Sequence, residues 1–212
     1  MESFIIIEIR DKDLKNIVKV HIKAFPSFFL TFLGPGFLRE FYKSFLYDSQ
    51  CIGFVAIDKN TEEILGAIVG PLNPKGYFKR LLKRKWFVFC IASVVAVFRK
   101  PAVMKRLFRA VFYRGEVPVG PPRALLSSIA VSPQAQGQGV GQALMKRWVE
   151  EVEHRGGTGC FLTTDVENNE SVNRFYQRLG WKIESIYTTP EGRKMNRYIL
   201  DFPKKSKEHN NG

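Results

Sequence analysis

The most informative stretch of the chain is residues 125–145, which read LLSSIAVSPQAQGQGVGQALM. It opens with an apolar, β-branched run that predicts a strand, and this run stops at Ser132-Pro133. The loop that follows contains three alternating glycines: Gly137, Gly139 and Gly141. Apolar residues at helical spacing come next: Ala143, Leu144, Met145 and Trp148. The stretch therefore predicts a strand, a glycine-rich loop and a helix, in that order.

This order of elements is suited to binding an anion. The first-turn N–H groups of a helix have no intrahelical acceptor, and the helix dipole favours negative charge there. Glycines let a phosphate approach the backbone closely because they carry no Cβ. The spacing fits neither the dinucleotide fingerprint nor a P-loop, since no Gly-Lys-Ser/Thr follows. An alternative is that the glycines simply form a tight loop.

The order Gln136-x-x-Gly139-x-Gly141, placed directly after a strand, resembles the acyl-CoA loop of the GNAT superfamily of N-acetyltransferases. A second segment supports the resemblance: residues 169–181, which read NESVNRFYQRLGW. It is similar to the later family motif, in which an asparagine follows the fifth strand, a helix carries a tyrosine and Gly-aromatic opens the next strand. Together the motifs cover about residues 124–182.

The resemblance implies an α/β (α+β) fold with a mixed, splayed central sheet of about seven strands flanked by helices. The predicted strands are 4–9, 52–58, 64–69, 124–131, 159–165, 181–188 and 194–202. Helices are predicted from Asp11 or Asp13 to Pro26, after 34–36, and over 139–154 and 171–179. We expect a single domain over 1–203, with a basic helical insertion at 71–123 between strands 3 and 4 and a polar tail at 204–212.

The resemblance also implies a co-substrate, acetyl-CoA, and a set of residues that hold it. Its pyrophosphate would lie on the loop residues Gln136, Gly137, Gln138, Gly139, Val140, Gly141 and Gln142. Its pantetheine arm would pair with the exposed edge of the strand at Ile129, Ala130 and Val131. Asn169 and Asn173 are further candidate contacts, although Asn169 can equally be an N-cap. An acceptor amine would attack the thioester directly, a backbone N–H of the fourth strand would stabilise the oxyanion, and Tyr176 would protonate the thiolate.

The general base is the point at which the chain departs from its relatives. Family members that acetylate ribosomal-protein N-termini carry a glutamate twelve residues before the tyrosine, and this chain has Thr164 there. Asp165 is adjacent, but we expect it to face the other side of its strand. A water chain, His21 or Glu40 can serve instead, or no base is needed if the amine arrives neutral. His21 lies on an apolar helix face and reads as a satisfied core histidine.

Composition restricts the other possibilities. With 212 residues, 45% hydrophobic and 13% aromatic, the chain can bury a substantial core. Three cysteines in apolar runs, Cys51, Cys90 and Cys160, fit neither a disulfide framework nor a zinc site, so we expect buried thiols and no metal. The N-terminus lacks a signal-peptide pattern, which makes the cytoplasm the expected location. We find no signal for an oligomeric state.

The net charge of +13 is concentrated in one segment. Between Glu63 and Glu116 there is no acidic residue but there are twelve basic ones, spanning 75–114. They flank a thirteen-residue apolar run at 86–98 that is too short to span a bilayer. This segment can be a pair of helices packed on the domain with its charges in solvent. Alternatively, it can be a helical arm that binds an anionic membrane face or a polyanionic substrate. Binding to nucleic acid is the least favoured alternative.

The part of the chain that we expect to bind the acceptor, called the acceptor side, lies between the first two helices. This segment contains several phenylalanines. Phe28, Phe29 and Phe32 are candidate substrate contacts for an apolar or sugar-ring acceptor, or are core residues. Together with the basic segment they favour an anionic acceptor, such as the amine of a nucleotide- or lipid-linked amino sugar. A non-catalytic CoA-binding or membrane-surface module on the same fold is the alternative function, motivated by the missing base.

Overall fold

A computed structural model describes residues 3–77, 80–81, 83, 122–190 and 192–203. Most of the predicted basic insertion at 71–123 and the tail at 204–212 lie outside the described residues. Within the described part, no helix is sufficiently long and apolar to span a membrane.

The first sheet is antiparallel and has the strand order β1-β2-β3-β5. Its strands are β1 (Phe4–Glu8), β2 (Cys51–Asp58), β3 (Ile64–Pro71) and β5 (Ser128–Val131). β2 and β3 form an antiparallel hairpin, and both were predicted as strands. Its turn is closed by Asp58, whose carboxylate accepts hydrogen bonds from the N–H groups of Asn60 and Thr61.

The second sheet has the strand order β4-β6-β8-β7. Its strands are β4 (Ala124–Leu125), β6 (Gly159–Asp165), β7 (Lys182–Thr188) and β8 (Lys194–Asp201). β4 runs parallel to β6, and the other pairs are antiparallel. Parallel pairing requires a long crossover, and here the chain between β4 and β6 supplies β5 and a helix.

The prediction of one continuous strand over 124–131 is wrong, because this segment changes partner midway. The Leu126 N–H donates to the Phe161 carbonyl of the second sheet, and the next N–H, that of Ser127, donates to Val69 in the first sheet. Val69 is also the register partner of Ser128, so two residues face one, as in a β-bulge. The expected splayed sheet of about seven strands thus consists of two four-stranded sheets that meet at this switch.

Helices cover both faces of the first sheet. The helices are α1 (Leu14–Ala24), α2 (Phe29–Phe32), α3 (Pro35–Leu46), α4 (Val140–His154) and α5 (Glu170–Arg178). α1 and α3 bury their apolar faces against one side of the sheet, whereas α4 buries Trp148 and Leu144 in a second core that extends into the second sheet. The short helix α2 lies in the segment that the sequence predicted as a loop.

Two of the three cysteines can be placed. Cys51 and Cys160 are buried and free, as the sequence predicted, and Cys90 lies outside the described residues. Burial disfavours the charged thiolate, and it raises the pKa of Cys51 to about 12 and that of Cys160 further. Both thiols therefore behave as packing groups.

Candidate active site

The switch of partners opens a gap between β5 and β6. β5 is the last strand of the first sheet, and β4 pairs with β6 only at Cys160 and Phe161. Ser132 donates its N–H to β3, so in an alternating antiparallel ladder the peptide groups of Ile129 and Val131 point away from β3. The gap therefore presents an open strand edge, as the resemblance implied, that an extended ligand can pair with.

The glycine loop lies at the end of this open edge. Gly137 and Gly139 have positive φ values of +78° and +81°, a backbone conformation that side chains other than glycine adopt with strain. A Cβ at either position would meet nothing within 4 Å, so the space beside both residues is open. Gly141, by contrast, lies inside α4, where a Cβ would meet Val131 and Phe175 at ordinary contact distances.

The start of α4 offers unpaired donors. Gly139 is the N-cap residue and no side chain caps the helix. The first N–H of this helix to bond the N-cap carbonyl is that of Ala143, which leaves those of Val140, Gly141 and Gln142 without an intrahelical acceptor. These donors and the positive end of the helix dipole are suited to binding an anion such as a phosphate.

Glutamines stabilise the loop from within. Gln138 donates from Nε2 to the Gln134 carbonyl at 2.8 Å, and Gln136 donates to the Val131 carbonyl at 3.4 Å. The second bond ties the loop to the open strand. In the free protein both side chains thus shape the loop, in addition to the ligand contact that the sequence predicted for them.

A cleft of about 470 Å³ continues outward from the loop. It is lined by Ser3, Phe4, Gln138, Gly139, Gln142, Ala143 and Lys146. The Lys146 side chain is 78% exposed and adds positive charge beside the helix N-terminus. The cleft therefore extends the anion site along the outer face of α4.

Tyr176 of α5 is buried against aromatic rings of the second sheet region. Its ring centroid lies 5.7 Å from that of Tyr198 and 6.1 Å from that of Trp181. Burial raises the pKa of this phenol well above its usual value, with a smaller contribution from Tyr198. Tyr176 therefore holds its proton at neutral pH, which is the state a proton donor requires.

Asn169 and Asn173 link α5 to the second sheet. Asn169 donates from Nδ2 to the Thr164 hydroxyl at 2.7 Å and to the Asp165 carbonyl at 3.0 Å, and it makes no side-chain cap bond. Asn173 donates to the carbonyls of Asp165 and Asn169. Its Oδ1 accepts from Asn196 and Tyr198, so its side chain uses its full hydrogen-bonding capacity within the protein. The geometry thus favours a supporting role for Asn173.

Neither Thr164 nor Asp165, the residues at and beside the position of the missing glutamate, is an unengaged base. The Thr164 hydroxyl accepts the bond from Asn169, and the Asp165 carboxylate is ion-paired with Arg193 at 2.6 Å. The described residues contain no group of three or more His, Cys, Asp or Glu arranged to hold a metal ion.

A polar line on the α1 and α3 side of β5 is a feature that the sequence did not reveal. His21 Nδ1 lies 2.8 Å from the Tyr42 hydroxyl, and this hydroxyl lies 3.2 Å from Ser128 Oγ. His21 is 1% exposed, as expected of a core histidine, but its Nε2 has no hydrogen-bond partner among the described residues. The expectation that this histidine is satisfied therefore holds for Nδ1 and is wrong for Nε2. The only sequence signal was a pair of serines in an apolar strand.

The phenylalanines of the acceptor side lie next to this line. Phe28 is 41% exposed and Phe32 is 43% exposed, which is unusual for large apolar side chains. Phe28 and Phe25 pack around the His21 ring, with centroids 6.5 and 5.1 Å away. The side chain of Phe29 lies outside the described residues.

A family comparison agrees with this geometry. The model of the Acetyltransferase (GNAT) family matches residues 21–181, which include the glycine loop, the gap and α5. The chain therefore belongs to the GNAT family of acetyltransferases.

Two curated proteins are similar to part of the chain. The chain is 35% identical over 74 residues to the ribosomal protein bS18 alanine N-acetyltransferase of Escherichia coli. This matched stretch covers 33% of the present chain and 49% of that protein. The chain is 30% identical over 71 residues to the mycothiol acetyltransferase of Renibacterium salmoninarum, covering 32% and 21%. The matched stretch thus spans at most about half the length of these curated relatives.

Solved structures share the fold of the described residues. The bS18 alanine N-acetyltransferase of Escherichia coli aligns with a TM-score of 0.59 and 17% identity over 97% of both chains. An aminoglycoside 6'-acetyltransferase of type Ii aligns with a TM-score of 0.62 and 16% identity over 95% of this chain and 99% of that one.

Proposed function

We propose that the protein is an acetyl-CoA-dependent N-acetyltransferase and that residues 1–203 act as one domain. The observation that carries this proposal is the pairing of two features at one place: the open edge of β5 and, at its end, the unpaired N–H groups at the start of α4. An extended arm that ends in a pyrophosphate is complementary to both.

The residues present fit such a co-substrate. The peptide groups of Gly139, Val140, Gly141 and Gln142 would hold the pyrophosphate, supported by Gln136, Gly137 and Gln138. The open edge of β5 at 129–131 would align the pantetheine arm as an added strand, through the backbone groups of Ile129 and Val131, whereas those of the predicted contact Ala130 face β3. When bound, acetyl-CoA supplies an acetyl group activated as a thioester.

Three parts of the chain would act on the reacting groups. The N–H groups on the open edge of β5 are donors for the acyl oxygen. Tyr176, whose buried phenol stays protonated, would donate a proton to the departing sulfur. Because Thr164 and Asp165 are engaged elsewhere, the amine would enter neutral or lose its proton through water.

The acceptor is proposed to be an amine on an anionic molecule, such as a nucleotide- or lipid-linked amino sugar. The exposed Phe28 and Phe32 offer an apolar surface for a sugar ring, and the basic segment 75–114 offers positive charge. The two curated relatives are named for different molecules, mycothiol and a ribosomal-protein alanine.

Incubation of an extract with isotopically labelled acetyl-CoA, followed by mass spectrometry, tests the activity and identifies the acceptor. A labelled product with a mass gain of one acetyl group, formed only with active protein, supports the proposal. Binding of acetyl-CoA without release of CoA across a broad amine panel would contradict it and indicate a non-catalytic CoA-binding module.

The basic segment has a separate test. If 75–114 contacts an anionic membrane surface, the protein should float with anionic liposomes and not with neutral ones, and neutralising its lysines and arginines should abolish flotation. Equal recovery with both liposome types would contradict membrane contact and leave a soluble anionic acceptor as the partner of this charge.

A further inference from the structure

Three side chains connect the acceptor side of the protein to the closed end of the gap. His21 comes from α1, Tyr42 from α3 and Ser128 from β5, and consecutive polar atoms are 2.8 and 3.2 Å apart. They are far apart in sequence, since 86 residues separate Tyr42 from Ser128. His21 and Tyr42 are buried, whereas Ser128 is only partly buried.

Ser128 occupies a special position. It is the first residue of β5 after the bulge, so this residue lies where the strand leaves the second sheet and the gap begins. A serine hydroxyl has one donor and two acceptor sites, and Tyr42 is its only bonded partner among the described side chains. Ser128 therefore retains hydrogen-bonding capacity at the closed end of the gap.

The buried His21 ring indicates which group donates in each hydrogen bond of this line. Nε2 of His21 has no hydrogen-bond partner in the described part of the protein, and a buried N–H without an acceptor is rarer in proteins than a buried acceptor without a donor. The proton therefore belongs on Nδ1, which then donates to the Tyr42 oxygen. Tyr42 in turn donates to Ser128 Oγ, and the Ser128 O–H points away from Tyr42. Burial also lowers the pKa of His21 to about 4, which keeps the ring neutral.

We propose that the Ser128 hydroxyl donates a hydrogen bond to the acyl oxygen at the closed end of the gap, and that Tyr42 and His21 are positioning residues that fix the direction of this hydroxyl. The inference rests on the proposed acetyl-CoA-dependent function. It adds a side-chain donor to the backbone donors of β5.

The tautomer of His21 tests the direction in the free protein. Long-range ¹H–¹⁵N correlation spectra at neutral pH, assigned with a His21→Gln variant, should show a neutral ring protonated on Nδ1. Tyr42→Phe removes the acceptor of that proton and should change the His21 signals, whereas Ser127→Ala should not. A wild-type His21 ring protonated on Nε2 would make Nδ1 the acceptor from Tyr42, so Tyr42 could not donate to Ser128, and this result would overturn the proposal.

Ligand binding tests the contact without requiring turnover. S-ethyl-CoA lacks the carbonyl oxygen of acetyl-CoA but keeps the remainder of the molecule. Wild-type protein should prefer acetyl-CoA, and Ser128→Ala should reduce that preference about three- to tenfold, the range of one hydrogen bond. Ser128→Thr, which keeps a hydroxyl, should restore it. Ser127→Ala is the matched control, because the Ser127 hydroxyl is buried and bonds to nothing in the described part of the protein.

Kinetics add a further readout. Ser128→Ala should lower kcat about 100-fold and raise the KM for acetyl-CoA by no more than the three- to tenfold loss of binding, because the pyrophosphate site is untouched. An unchanged ligand preference and an unchanged kcat in Ser128→Ala would overturn this inference while leaving the acetyltransferase function intact. If wild-type protein binds no acetyl-CoA, the proposed function itself fails.

Discussion

At the scale of single residues, backbone conformation and burial decide what the site can do. The φ of +81° at Gly139 turns the chain so that the first-turn N–H groups of α4 face open space. Burial of Tyr176 keeps a phenolic proton in place. Each property belongs to one residue and can be altered by one substitution.

Gly139→Val should weaken acetyl-CoA binding at least tenfold, because a β-branched residue is strained at positive φ and its side chain would fill the open space beside the loop. Isothermal titration calorimetry measures the change. Gly156→Ala is a control for backbone strain alone, since Gly156 has a φ of +79° and ends α4 at its other terminus. Equal affinity in wild type and Gly139→Val would contradict the assigned pyrophosphate site.

Tyr176→Phe should lower kcat by about 100-fold while leaving the dissociation constant of acetyl-CoA unchanged, because the ring packing remains and only the proton donor is lost. Steady-state kinetics and calorimetry separate the two effects. Tyr47→Phe, at a site that is 63% exposed, should retain wild-type kcat. Wild-type turnover in Tyr176→Phe would remove Tyr176 from the mechanism.

His21 should make stability depend on pH in a defined window. Its pKa is about 4 in the folded protein, against about 6.5 when unfolded, so the unfolded chain binds more protons between these values. The free energy of unfolding should therefore fall by about 3 kcal/mol as the pH is lowered from 6.5 to 4. Urea titrations should show this slope in wild type and in His154→Gln, and a shallower one in His21→Gln. Identical slopes in all three would show that His21 does not titrate as described.

At the scale of secondary-structure elements, the site depends on one segment that belongs to two sheets. β4 pairs with β6 and β5 pairs with β3, and the chain passes from one to the other within two residues. Gly70 of β3 permits this crossing, because a Cβ there would overlap the Leu125 carbonyl and lie 2.9 Å from Trp148. The asparagines of α5 then hold that helix on the far side of the gap.

Gly70→Ala should lower the free energy of unfolding by about 3 kcal/mol, because the new methyl group displaces backbone rather than a flexible side chain. Chemical denaturation measures the loss. Gly141→Ala is the contrasting variant: it lies in a helix with ordinary contact distances around its Cβ, and it should be neutral or more stable by up to about 1 kcal/mol. A fully stable Gly70→Ala would contradict the described crossing.

At the scale of the whole molecule, two sheets and two cores must be held in register for the gap to exist. Arg123 contributes at the start of β4, where its guanidinium bonds Asp201 of β8 and Glu184 of β7. The Arg123 side chain is 9% exposed, and the ion pair with Arg123 holds the pKa of Asp201 below its usual value. This residue therefore ties the strand that precedes the gap to the rest of the second sheet.

Arg123→Met should lower the free energy of unfolding by about 2 kcal/mol, since it keeps the buried stem and removes the ion pairs. Glu184 and Asp201 are partly exposed, and water compensates part of the loss. Thermal unfolding with and without added salt measures this loss of stability. The difference in stability between wild type and Arg123→Met should become smaller when salt is added. A salt-independent difference would assign the effect to packing.

Much of the fold and half of the site followed from local sequence. The glycine loop at 137–141 and the motif at 169–181 encode backbone turns and helix starts within a few residues, so their spacing alone indicates an anion site and the family. The alternation of apolar residues likewise predicted nearly every described strand and helix, because periodicity reflects which face of an element is buried.

What the local pattern did not contain is the set of pairings between distant segments. The residues 124–131 read as one strand, and only the competing hydrogen bonds to Phe161 and Val69 divide it and open the gap. His21, Tyr42 and Ser128 meet only when α1, α3 and β5 pack together, and the long-range bonds of Asn173 form only against β6 and β8. Local chemistry defined which ligand the loop can hold, whereas tertiary packing decided where the strand edge opens and which side chains reach it, because those contacts join residues remote in sequence.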